Sequence, residues 1–381
     1  MKILWIASWF PTSYSPFNGD FIERMGKAVA PFCEVHLLHV GEGPVKKIVV
    51  SIEHDVYDRV IVTVPLTVNW NYFLRFFRLW RGFRIGIKIV KARFGSFQII
   101  HLHVIYTLGI FYMMSKFLRK IPLVITEHWA GFSKHFRKDL KFYHKIIAWL
   151  CIKRAKIVLP VSTSLLNDMV GLGFKGHYKV VPNVVDLQLF SPSISKKSSK
   201  FPFFFLVVSS LFDEIKNISG VIRAFKKISQ KYPECCLKII GSGQDEEKLK
   251  SLTFLLGISE IVVFLGELPH SSVAEMMQHS DALVVFSRVE TFSCVISEAL
   301  SVGLPVITSN CGGITSSILS NQGIIVDSED ENALFDAMKR MIEEYSSFEP
   351  CVRRNEVDKF NSETIGTKLF EIYKNYANSS F

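Results

Sequence analysis

Residues 282–313 read ALVVFSRVETFSCVISEALSVGLPVITSNCGG, and this run decides the fold class. Ala282 to Phe286 is an apolar segment of strand length, 294–301 has the spacing of a helix, and PVITS at 305–309 is a second strand. Gly303 and Pro305 stop the helix, and Thr291 or Ser293 is expected to cap its start through a side-chain oxygen. Strand, helix and strand in this order form a crossover unit of a parallel sheet. The amide donors of a helix that starts just past a strand make a site for a diphosphate. Two carboxylates, Glu290 ahead of the helix and Glu298 within it, bracket that start; the competing reading is two solvated surface charges.

The same alternation extends in both directions. Toward the C-terminal half, FFFLVVSSL, CLKIIGSG, IVVFLG and GIIVD read as strands, with helices expected over 217–230, 245–256, 271–279 and 330–344. In the N-terminal half, KILWIAS, CEVHLLHV, RVIVTVP, FQIIHLH, PLVITEH and KIVLPVS alternate with helices over 21–30, 107–119 and 141–154. Between the halves lies SISKKSSK, a polar run without an apolar face. The expectation is an α/β chain of two doubly wound, Rossmann-like parallel sheets facing each other across a cleft. Residues 1–188 form the first domain, 189–200 a linker and 201–361 the second domain, with a final helix at 362–376 in the 362–381 segment returning to the first.

Composition agrees with two ordinary cores: 381 residues, 49% hydrophobic. The seven cysteines are odd in number and lack metal-type spacing, which argues against a disulfide framework or a zinc site and for a reducing, cytosolic setting. MKILWIASWF is short and lacks a small-residue cleavage site, so it reads as the first buried strand. No run of eighteen apolar residues is present. The net charge of +10 is unevenly held: residues 1–190 carry 26 Lys and Arg against 11 Asp and Glu, and the remainder 19 against 24. Between Asp58 and Glu127 there are eleven basic residues and no acidic one, a field that favours an anionic partner.

Five strings in fixed order, KN (216–217), IIGSGQDEEKL (239–249), VVFLGEL (262–268), the run ending in CGG (280–313) and GIIVD (323–327), resemble the retaining, nucleotide-sugar-dependent glycosyltransferases of family 4. In the first half PFNGDFIERMGKAV, HLHVIYTLG, PLVITEH, PVSTSLLNDMVGLGF and VVPNVVDLQLF are similar to the family's more variable acceptor half. The resemblance implies the GT-B fold and transfer of a sugar from a nucleoside diphosphate sugar to a glycan or lipid-linked glycan hydroxyl. The setting it suggests is bacterial lipopolysaccharide or capsule synthesis. It places Glu298 on the ribose hydroxyls, Glu290 on the donor sugar, and the main chain of Phe292, Ser293 and Cys294 on the sugar and diphosphate. Lys216 would offset diphosphate charge as the sugar–phosphate bond breaks, Gly19 would let backbone approach the phosphates, and Asp20 would orient the acceptor. His128 corresponds to the family histidine beside the reacting carbon. The turn at Gly241 and Gly243 and the main chain from Phe264 to Gly266 would meet the base.

His101 and His103, two apart on a strand, are read as structural. No metal or cofactor is expected: Lys216 and the helix start would balance the diphosphate, and the leaving diphosphate would take the acceptor proton on the same face. Three departures stand out. Ser209 and Ser210 occupy the neighbourhood of a usual arginine, EGFG becomes ETFS, and Thr315 and Ser316 replace the proline and glutamate common after CGG.

Residues 69–93 interleave Arg75, Arg78, Arg81, Arg84, Lys88 and Lys91 with Phe73, Phe77, Trp80 and Phe83 at helical spacing. A second basic set, Lys134, Arg137, Lys138, Lys141 and Lys145, follows. Together they suggest a peripheral helix on the anionic inner face of the cytoplasmic membrane; the alternative is an ordinary amphipathic helix with solvated arginines. Nucleic acid is disfavoured, since no module for it is visible. Two further readings are a catalytically weak or inactive GT-B protein that only binds membrane or glycolipid, and a GT-B nucleotide-sugar epimerase.

Overall fold

A computed structural model describes residues 1–67, 72–192, 202–313, 315, 318, 320–348 and 357–377. Most of the expected linker, Ser316 and the first residues of the 69–93 stripe lie outside them. The chain forms two compact units, residues 1–184 with 360–381, and residues 185–359. Residues 189–192, expected in the linker, pack with the second unit: Phe190 is buried with its ring 6.4 Å from His270, and Gln278 Nε2 donates to the Ser191 carbonyl at 2.6 Å.

In the first unit, β1 (Lys2–Ala7), β2 (Glu34–Gly43), β3 (Val49–His54), β4 (Asp58–Pro65), β5 (Ile99–His103), β6 (Leu123–Glu127) and β7 (Ile157–Pro160) form one sheet in the order β3-β4-β2-β1-β5-β6-β7. The interior strands are continuous apolar runs because helices cover both faces; Ile3 to Ala7 have no exposed surface. Strand β3 was not anticipated, and it makes the sheet mixed, since it pairs antiparallel with β4 from Val49 opposite Thr63 to His54 opposite Asp58. Its weak signal has a physical cause: it is an edge strand, with Val49 and Ile52 exposed.

Helices α1 (Asp20–Val29), α2 (Tyr72–Phe94), α3 (Gly109–Met114), α4 (Phe142–Arg154) and α5 (Thr163–Gly171) connect these strands. The helix expected over 107–119 is only the six residues of α3 followed by a separate turn at 118–120. Helix α2 lies close on the sheet, where a Cβ on Gly82 would come within 2.7 Å of Val64 and one on Gly86 within 2.5 Å of Leu38.

The second unit holds β8 (Phe203–Val208), β9 (Cys235–Ile240), β10 (Val262–Gly266), β11 (Ala282–Val285), β12 (Val306–Ser309) and β13 (Gly323–Val326), all parallel, in the order β10-β9-β8-β11-β12-β13. Between them run α6 (Asp213–Lys216), α7 (Ile218–Lys231), α8 (Glu246–Leu255), α9 (His270–Gln278), α10 (Cys294–Val302) and α11 (Glu331–Glu343). The last helix, α12 (Ser362–Ala377), packs on the first unit: a Cβ on Gly366 would come within 2.0 Å of the Ala28 carbonyl, and Lys368 donates to the Val180 carbonyl at 2.8 Å.

Candidate functional site

In the second sheet the chain winds outward from β8 through β9 and β10, then returns to the other side of β8 with β11, so strand order reverses between β8 and β11. A crevice outside the carboxyl ends of two such strands is where open parallel sheets bind ligands. A hollow of about 160 Å³ sits there, lined by the last residues of β8 and β11, by Ser209, Lys216, Glu290 and Ser293, and by the start of α10. Lys216 Nζ donates to Glu290 Oε1 at 2.7 Å, and Ser287 Oγ donates to the same oxygen at 2.8 Å. An ammonium has three donors, so Lys216 can hold Glu290 and still turn protons to a phosphate oxygen.

Lys216 is positioned by residues that the sequence reading did not single out. It ends the four-residue helix α6, whose first amide, that of Asp213, donates to Asp245 at 2.8 Å. The Arg288 guanidinium clamps the same helix, donating to the carbonyls of Asp213 at 2.7 Å and Glu214 at 3.1 Å and to the Asn217 side chain at 3.1 Å. The Arg288 amide adds a bond to the Ile215 carbonyl at 2.8 Å. Two residues before Glu290, Arg288 thus links the two arms of the hollow. Its signal in sequence was only its place in the run between strand and helix.

The expected cap of α10 is not formed. Ser293 occupies the cap position, but its backbone is left-handed at φ 67° and its side chain makes no capping bond. A cap oxygen reaches forward to the helix amides from an extended backbone, which this residue lacks. The buried Ser293 hydroxyl has no hydrogen-bond partner among the described residues and lines the hollow. Phe292 is buried, and its carbonyl lies against the following turn, where a Cβ on Gly313 would come within 2.7 Å. Cys294 lines the hollow, whereas Glu298 lies buried on the next turn of α10 outside its lining. Burial among Glu290 and its neighbours lifts the Cys311 thiol to about 12, so it stays protonated near neutrality.

Gly241, Gly243, Phe264 and Gly266 gather along the ends of β9 and β10, beside the hollow and not in its lining. Gly241 has φ 130° and a Cβ there would meet the Ser209 carbonyl at 1.8 Å, so only glycine fits. Its amide donates to the Gly266 carbonyl at 2.8 Å, tying the turns together. The Phe264 ring packs against the core.

The first unit brings the other candidates together. Gly19 starts α1 at φ 76°, and a Cβ on it would meet the Trp9 carbonyl carbon at 2.6 Å. Asp20 pairs with Arg24 at 3.0 Å. The next side chain, Phe21, lies 4.6 Å centroid to centroid from His128. His128 is buried, which pulls its pKa down to about 3; the nearby Asn183 side chain opposes this, though it is not aligned for a hydrogen bond to the ring. The His103 ring lies 4.0 Å, centroid to centroid and tilted by 38°, from that of His101, which bonds Tyr373 of α12 at 2.6 Å and Thr126 at 2.7 Å. The two strand histidines are packed inside.

The basic stripe is only partly a surface. Arg75 bonds Glu42 at 2.8 Å, Arg78 bonds the Leu66 carbonyl at 2.8 Å and Phe83 is buried, whereas Arg81, Arg84, Lys88 and Lys91 are open to solvent. In the second set Lys134, Arg137, Lys138 and Lys141 are exposed and Lys145 is half-buried. No described helix is long and apolar enough to cross a membrane.

Residues 21–189 match the profile described as Glycosyltransferase Family 4, and residues 192–357 that of Glycosyl transferases group 1. A glycogen synthase of Mycobacterium tuberculosis is 23% identical over 66% of this chain and 63% of its own length. The UDP-Gal:alpha-D-GlcNAc-diphosphoundecaprenol alpha-1,3-galactosyltransferase of Escherichia coli is 28% identical over 68% of this chain and 69% of its own. The chain thus covers less than two thirds of the first of these relatives. Among solved structures, the sucrose-phosphate synthase of Thermosynechococcus elongatus superposes with a TM-score of 0.81 over 98% of this chain and 99% of its own, at 18% identity. HepE of Anabaena, in complex with UDP and glucose, gives 0.75 over 98% and 100%, at 17% identity. Two doubly wound units, the ordered strings of the second, and two profiles that between them take in almost all of residues 21–357 place the chain among the family 4 glycosyltransferases, with the GT-B fold.

Proposed function

We propose that the chain transfers a glycosyl group, with retention, from a nucleoside diphosphate sugar to a hydroxyl of a lipid-linked glycan. The observation that carries this reading is the Lys216–Glu290 pair, 2.7 Å apart, at the point where the second sheet reverses its strand order and a helix begins. Lys216 and the α10 start offset the charge that grows on the leaving diphosphate, without a metal ion or cofactor. As the donor enters, Glu290 accepts from sugar hydroxyls and Glu298 from those of the ribose. His128 and Asp20 serve the acceptor, held by the first unit. The leaving diphosphate takes the acceptor proton on the face where the new bond forms.

HepE was solved with UDP and glucose, and the E. coli relative is named for a UDP-Gal donor and a diphosphoundecaprenol-linked acceptor. The first supports a donor of this class here, and the second a donor and an acceptor of these classes. The exposed cations of α2 and of 134–145 hold the enzyme on the anionic inner face of the cytoplasmic membrane, in lipopolysaccharide or capsule synthesis. Incubation with a panel of UDP- and GDP-sugars tests the activity. One donor should be turned over, with kcat/KM at least tenfold lower in Glu298→Ala and no change on adding EDTA. Absence of turnover with every donor in the presence of polyprenyl diphosphate glycans contradicts it.

A further inference from the structure

The first unit contains a separate hollow of about 320 Å³, bounded by α2, α3, α4 and the loops after β5 and β6. Its walls are apolar and aromatic, with Tyr72, Phe76, Ile110, Phe111, Trp129 and Phe132 among them. The loops that frame it are held in a costly form. Val104 and Thr107, both β-branched, stand at φ 64° and 79°, a region such residues seldom enter. Glu127, without exposed surface, locks both loops: it accepts from the amide of Ile105 at 3.1 Å and from those of His128 and Trp129 at 2.9 Å each. Strain stored in this way is found where loops are held for a ligand.

Among the lining residues Arg75 carries a charge, which its bond to Glu42 at 2.8 Å engages, and His144 supplies an imidazole. His144 lines the hollow, and its Nδ1 is buried with no hydrogen-bond partner among the described residues. Its ring meets Tyr106 edge-on at 5.0 Å and Trp129 at 5.5 Å. The Lys141 ammonium stands 5.2 Å from the Tyr72 ring centre and 6.0 Å from that of Tyr143, two lining residues, and is itself exposed. On α2 and α4, Phe73, Phe77, Phe142, Ile146 and Trp149 leave apolar surface open to solvent. Of the acidic groups nearby, Glu42 is paired with Arg75 at 2.8 Å and Glu127 is buried beneath the framing loops.

From the apolar walls, the cation against their aromatic rings and the unpaired histidine nitrogen, we propose that this hollow receives the hydrocarbon chain of a phosphorylated lipid, with the phosphate held by Lys141 and His144. The proposal rests on the transferase reading in one respect: the lipid is the anchor of the acceptor. An apolar chain leaves water with no directional demand on the walls, while the phosphate keeps charge-assisted bonds at the rim.

Titration of the full chain with dodecyl phosphate, below its micellar concentration, tests the site against two controls, inorganic phosphate and dodecyl maltoside. Dodecyl phosphate should bind saturably and at least tenfold more tightly than either control. Ile110→Phe, which fills the hollow, should weaken it tenfold or more, and Lys141→Gln severalfold. A dodecyl phosphate brominated on the carbons close to its phosphate should quench the native protein and lose most of that quenching in Trp129→Phe, a readout that stands if Ile110→Phe fails to fold. Equal binding of inorganic phosphate, equal binding of the maltoside, or quenching unchanged in Trp129→Phe overturns the proposal. Dodecyl phosphate bound by a chain that takes neither UDP nor GDP supports the hollow and sinks the transferase reading; nucleotide bound with no uptake of dodecyl phosphate sinks the hollow alone.

Discussion

Ser293 adopts a left-handed backbone at the start of α10, where glycine would carry no penalty. Its hydroxyl is also buried without a partner. Replacing Ser293 with glycine removes both costs, so the second unit should gain about 1 kcal/mol and melt about 2–4 °C higher. A midpoint that falls would show that the serine side chain supports the turn in a way its geometry does not reveal. Sequence made the substitution visible, as ETFS in place of EGFG, but not the backbone handedness that gives it meaning. Lys216 and Glu290 were legible because ordered strings surround both. Arg288 and Asp245 were not, since each acts on α6 by a contact that exists only once strands and loops are in place.

Strands β5 and β6 carry a group of buried titratable side chains at the centre of the first unit. Burial holds the pKa of His101 and His103 well below the ordinary value, that of His128 at about 3 and that of His39, on β2, at about 4. A histidine depressed in the folded state contributes stability above its unfolded pKa of about 6.5, and that contribution is lost as pH falls below it. Glu127 works against this, since burial raises it to about 7 and the folded state then holds an extra proton between about 4.5 and 7. Four protons taken up by the unfolded chain against one by the folded chain leave about three. Stability should therefore fall steeply as pH drops from about 6.5 toward 5. Thermal unfolding from pH 7.5 to 5 should show the first unit melting progressively earlier, with the second, whose His270 and His279 are not buried, lagging behind. A first-unit midpoint constant over that range contradicts the assignment. The periodic core strands behind this group were readable from their apolar runs. Edge strand β3 and the short α3 were not, because an exposed edge carries little pattern and a six-residue helix takes its stability from packing.

Over the whole molecule, the positive charge sits in the first 190 residues and the family's ordered strings in the rest. Structure divides the basic stripe, spending Arg75 and Arg78 within the unit and leaving Arg81, Arg84, Lys88 and Lys91 outward. Helical spacing gave the stripe; which of its cations meet protein atoms depends on Glu42 and Leu66, far away in sequence. Replacing the four outward cations by glutamine should abolish sedimentation with phosphatidylglycerol vesicles at low salt, and unchanged sedimentation rejects the membrane role. The division at 184/185 and 359/360 likewise follows packing, because Phe190 is buried with the second unit and α12 with the first. The central claim is that Lys216 and Glu290 hold an activated sugar at the reversal point of the second sheet. Calorimetric titration of the full chain with UDP- and GDP-sugars tests it most directly. Saturable heat with at least one donor, weakened tenfold or more in Lys216→Ala, is the predicted result; no heat from any donor, or heat untouched by that substitution, contradicts it.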